Sequence, residues 1–164
     1  MITIQVSATN QIGARIIKLG TWSWANHVDF VLPDGTLLGA LAVDPSGKVS
    51  RDYLRKGGVQ IHPMPPLAHY SRVERYVVDA PDSVLDFAKS QVGKPYDWKG
   101  IAAFLSHNRD WQDDDAWFCS ELVAYSFAQA GVQLLRDVAY RITPRDILLS
   151  PLLKFVSIPP EAIK

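Results

Sequence analysis

Hydrophobic and polar positions alternate at the start of the chain. Ile2, Ile4 and Val6 are interleaved with Thr3, Gln5 and Ser7, which predicts a strand with one buried face. Ile12, Ile16 and Leu19 then recur at helical spacing before Gly20, which predicts a short helix over 11–19. His27 to Val31 and Thr36 to Val43 are two apolar stretches joined through Asp34-Gly35, the pattern of a β-hairpin. Val59 to His62 and Val73 to Val78 are further strand candidates, separated by the chain-breaking Pro63, Pro65 and Pro66.

The second half reads as helical. Ser83 and Asp86, three residues apart, predict a capped start, with Val84, Phe87 and Ala88 running on to Gly93. A second helical stretch is predicted from Asp97 to about Leu105. The strongest pattern runs from Cys119 to Ala130, where Leu122, Val123, Ser126 and Phe127 form a broad apolar face closed by Gly131. Thr143-Pro144 predicts an N-cap with proline in the first helical position. Pro151, Pro159 and Pro160 prevent a long terminal helix. Strands early and helices late favour an α+β fold over a doubly wound sheet.

Composition narrows the function classes. With 164 residues and 48% hydrophobic residues, the chain is expected to form one domain spanning 1–164. Seventeen basic residues balance seventeen acidic ones, so the basic excess of a general nucleic-acid binder is missing. No apolar run reaches the roughly 18 residues needed to cross a bilayer. Met1 to Asn10 lacks the basic flank and apolar run of a secretory signal, so the expected compartment is the cytoplasm. Release by lysis or non-classical export would leave the same pattern. One cysteine excludes a disulfide framework and a multi-thiolate zinc site. His107 with the acidic run Asp113-Asp114-Asp115 has no ligand spacing, so no metal or other cofactor is expected.

Cys119 stands where aperiodic residues give way to a helix. A thiol reacts as thiolate, and a helix N-terminus or an imidazolium favours that form. The four histidines, at 27, 62, 69 and 107, all precede it. His27 opens an apolar strand and shares a face with Asp29, so its ring can be aimed accurately and a carboxylate can fix its tautomer. His62, at a strand end, ranks second. Cys119 equally fits a small buried hydrophobe, and Asp29 a solvent-facing strand residue.

Gly93-Lys94-Pro95-Tyr96-Asp97-Trp98-Lys99-Gly100, followed by Phe118-Cys119-Ser120-Glu121-Leu122-Val123, resembles the NlpC-type papain-like cysteine hydrolases. Ordinary members carry the histidine after the cysteine. The order here, His27 before a D-G hairpin and Cys119 later, resembles the circularly permuted branch of YiiX-like and lecithin retinol acyltransferase-like proteins. Glu121 fits that branch. The resemblance implies an antiparallel sheet or partial barrel packed against helices. It also implies Cys119 as nucleophile, His27 as general base and Tyr96 as a residue beside the nucleophile. The family's polar third residue, about twelve positions after the histidine, falls here on Gly39, which has no side chain. Either Asp29 orients His27, or a backbone carbonyl or water does. The activity implied is cleavage of an amide or ester through an acyl-enzyme, on a small peptide-like, peptidoglycan-like or acyl substrate. Lipid acyl transfer is an alternative, and so is a catalytically silent binding or structural module. Trp22, Trp24 and Trp98 are candidates to line an apolar groove.

Overall fold

Six antiparallel strands form one sheet in the order β4-β3-β2-β1-β5-β6. They are β1 (Ile2–Thr9), β2 (His27–Val31), β3 (Leu37–Leu41), β4 (Gly58–His62), β5 (Tyr70–Val78) and β6 (Lys154–Val156). Among the described residues three α-helices accompany them, α1 (Ser83–Ser90), α2 (Cys119–Gln129) and α3 (Pro144–Ile147), with a 3-10 turn at Leu67–His69. The computed structural model describes residues 1–9, 23–42, 57–97, 115–139 and 142–158. The helix expected over 11–19 lies outside them, as does all but the first residue of the one expected from Asp97.

The alternation at the N-terminus sets the register. β1 lies at the centre, pairing Gln5 with Asp29 of β2 on one side and with Arg75 of β5 on the other. Ile2, Ile4 and Val6 are buried with Val28, Phe30, Leu38, Ala40 and Val59. Val84 and Ala88 of α1, and Leu122, Val123 and Phe127 of α2, close this core. The rings of Phe30 and Phe127 meet at 5.9 Å, which ties α2 to β2.

Pro33, Asp34 and Gly35 make the β2–β3 turn. Gly35 takes φ 84°, a conformation that costs other residues strain. Leu32 N–H donates to the Thr36 carbonyl at 2.9 Å, and the Asp34 carboxylate accepts from Thr36 N–H at 2.9 Å. Two details differ from the sequence pattern. Ser83 is the first helical residue of α1, and the cap position belongs to Asp82, whose side chain makes no capping bond. β6 carried no strand signal, because three residues are too few to show a period; it forms by pairing with Arg75 to Val77 of β5.

The start of α3 is built as its sequence predicts. Thr143 Oγ1 accepts from Asp146 N–H at 3.2 Å, and Asp146 Oδ2 accepts from Thr143 N–H at 3.0 Å. Thr143→Ala is expected to cost about 1 kcal/mol. Urea unfolding should show a lower midpoint with an unchanged slope; an unchanged midpoint would mean the cap does not hold α3. Among the described residues no helix is long and apolar enough to cross a membrane.

Candidate active site

Cys119 is the first residue of α2 and His27 the first of β2, so each reactive group sits at the end of a rigid element. Asp29 follows two residues later on β2. Its Oδ1 lies 2.7 Å from His27 Nε2. The Cys119 side chain lies close enough to the His27 ring to favour its charged form. One imidazole thus sits between a bonded carboxylate two residues away and a thiol more than ninety residues further along the chain.

Burial favours each partner differently. The His27 side chain is 17% exposed and the Asp29 side chain 3%. Burial acts against a charged imidazole, but the charges of Asp29 and Cys119 and the bond to Asp29 outweigh it, so His27 is held protonated well above its ordinary range. Asp29 is not the solvent-facing strand residue that the alternation allowed.

Gly39 accounts for where the carboxylate sits. A Cβ on Gly39 would lie 1.9 Å from Asp29 Oδ1 and 3.0 Å from its Cγ. The position the resemblance reserves for a polar third residue is thus occupied in space by a carboxylate from the neighbouring strand.

The start of α2 adds further polarity. Glu121 Oε2 accepts from Phe118 N–H at 3.4 Å, one half of a capping box, while the phenyl ring of Phe118 can supply no acceptor for the other half. The carboxylate lies in the first turn, where the helix dipole favours it. Ser120 Oγ is buried without a hydrogen-bond partner among the described residues.

Tyr96 reaches the site through the Gly93–Tyr96 segment. Val59 N–H donates to Lys94 carbonyl, and Gly93 N–H to Val59 carbonyl, each at 2.9 Å. Gly58, at φ 150°, permits this approach: a Cβ there would stand 2.2 Å from the Lys94 carbonyl oxygen. Tyr96 then bridges Trp117, two residues before Cys119. Burial first, then the charges of Cys119 and Asp97, push the Tyr96 hydroxyl well above its ordinary range, so it stays neutral. Gly39 and Gly58 were not singled out as positioning residues by sequence; their signal is a glycine inside a strand, which marks a close approach.

The other candidates fall elsewhere. His62 is buried at the end of β4, with Nδ1 3.0 Å from the Pro63 carbonyl. His69 is exposed in a one-turn 3-10 helix. Trp24 is half-buried, with the Arg72 guanidinium 4.2 Å from its ring centroid. Trp22, Trp98, His107, Asp113 and Asp114 lie outside the described residues. Among the described residues no three His, Cys, Asp or Glu side chains gather to hold a metal ion.

In fold, the chain is similar to YiiX. That protein is a metalloprotein of Escherichia coli O157:H7 described as DUF1105. The two structures align with a TM-score of 0.63 and 18% identical residues over 95% of each chain. At that identity the likeness is one of fold. No protein-family model matches the sequence, and no curated protein does.

Proposed function

We propose that the chain is a thiol hydrolase of the permuted papain-like type, one domain over 1–164, cleaving an amide or ester through an acyl-enzyme on Cys119. The observation that carries this reading is the His27 ring, bonded to Asp29 at 2.7 Å and close enough to Cys119 for the two to act on each other's charge. A thiol beside a protonatable ring at a helix N-terminus has the two features that make sulfur nucleophilic. Its likeness in fold to YiiX supports the same reading. YiiX is a metalloprotein; the residues that act in the proposed cycle here are Cys119, His27 and Asp29.

In the proposed cycle the proton given up by the thiol already rests on His27, and the sulfur attacks the carbonyl carbon. The backbone N–H of Cys119, in the first turn of α2, donates to the developing oxyanion. His27 returns its proton to the leaving amine or alcohol, and water, activated by the same ring, releases the acyl group. An acceptor alcohol or amine in place of water would make the same intermediate an acyl transfer. Asp29 keeps the ring oriented and stabilises its charged form.

A second reading has its own observation. Cys119 is only 1% exposed. A sulfur sealed in this way is what a binding module would carry, with the Cys–His contact serving stability alone.

Iodoacetamide labelling of Cys119 followed against pH separates the two. Fast labelling at pH 7 is expected for the wild type. In His27→Ala the profile should follow an ordinary thiol, which titrates near 8.5. Slow labelling in both proteins would favour the binding module. Stability gives an independent check. Because the folded state raises the His27 pKa, it keeps a proton that the unfolded chain releases above about pH 6.5. The stabilisation is complete below that pH and is lost as pH rises through the native value. His27→Ala should remove that part of the pH dependence.

A further inference from the structure

We propose that Gly39 is a positioning residue by virtue of its missing side chain: the space above it on β3 is the seat of the Asp29 carboxylate, and filling that seat uncouples the carboxylate from His27. The inference rests on the thiol-hydrolase reading and deepens it.

The geometry is specific. The atom that a Cβ at position 39 would strike is Asp29 Oδ1, at 1.9 Å, which is the oxygen bonded to His27 Nε2 at 2.7 Å. Real Cβ atoms essentially never come that close to another heavy atom, so the carboxylate must turn away. Asp29 has a short side chain on a paired strand, and rotating it removes the His27 bond. The Asp29 Cβ would be 3.5 Å away, an ordinary contact, so only the carboxylate has to move. Gly39 is buried in a regular strand, paired with Gln60 of β4, and needs no left-handed backbone. An alanine there is therefore compatible with the strand. The same closeness makes the seat reachable from either strand. A carboxylate carried on residue 39 would have its Cβ less than two carbon–carbon bond lengths from the place Asp29 Oδ1 now holds. The orienting group is thus defined by a point in space, and the chain supplies it from β2 because β3 leaves the room.

Five variants test this by the rate and pH profile of iodoacetamide labelling of Cys119, with circular dichroism as the fold check. Gly39→Ala should slow labelling at pH 7 by roughly tenfold and shift the profile as Asp29→Ala does. The pair Asp29→Ala/Gly39→Ala should be no slower than Asp29→Ala alone, because the group to be displaced is already gone. Asp29→Ala/Gly39→Asp should recover most of the wild-type rate and profile. A wild-type profile in Gly39→Ala would overturn the inference, as would losses in the double alanine variant that multiply. Should Gly39→Ala fail to fold, the double alanine and the Asp-transfer variants still decide, since neither contains the clash. His27→Ala separates the two levels. If it leaves labelling unchanged, the dyad itself fails; if it shifts the profile while Gly39→Ala does not, only the role of Gly39 fails.

Discussion

Cys119→Ala is expected to abolish turnover of an activated ester such as a p-nitrophenyl acyl ester, and His27→Ala to lower it by about 10²–10⁴-fold, the usual contribution of a positioned proton-transfer group. The two losses have different origins. Without the sulfur no acyl-enzyme forms, so mass spectrometry of the wild type quenched during turnover should find one acyl group on Cys119 and none on the variant. Without the imidazole the sulfur remains, but the ring that takes its proton and returns one to the leaving group is missing. The double variant should be no slower than Cys119→Ala, because the two groups act as one unit. Full activity in Cys119→Ala would end the proposal, and a stable acyl group on another residue would move the nucleophile.

The largest expected effect on stability comes from Phe127→Ala, at about 3–5 kcal/mol. Phe127 is fully buried, and its ring meets Phe30 in the layer between α2 and β2. Truncation removes that apolar area and leaves a cavity lined by neighbours that are themselves fully buried. For a chain of this length the loss corresponds to roughly 10 °C in the thermal midpoint. Phe30→Ala and Phe127→Ala should combine to less than the sum of their separate costs, since each removes the other's partner. The same change should slow Cys119 labelling at pH 7, because α2 carries the sulfur and its packing on β2 sets the distance to His27. A cost below about 1 kcal/mol would mean that the α2–β2 layer is not the core.

Most of the local structure was legible from short-range signals. Alternation in Ile2–Ser7 requires a strand whatever it pairs with, Pro33-Asp34-Gly35 closes a hairpin through its own backbone preferences, and Thr143-Pro144 caps its own helix. The candidate dyad was legible for a similar reason. A helix signal beginning at Cys119 and a strand signal beginning at His27 each place one group at an element end, and the structure brings the two together.

Other features depend on neighbours distant in sequence. β6 is three residues long and exists through pairing with β5. Gly58 looks like any glycine in a strand until the Lys94 carbonyl approaches its Cα. The burial of Asp29 could not be read from β2, because alternation assigns a residue to a face without saying what covers that face.

By itself the sequence determined the types of β1 to β5 and of α1 to α3, the hairpin, and which residues stand at element ends with reactive side chains, since these follow from backbone preference and periodicity within a few residues. Tertiary structure decided strand order, the nearness of Cys119 to His27, and the seat of the Asp29 carboxylate above Gly39. Those depend on distances across strands, and a chain of residue types carries no distance between positions that only folding makes adjacent.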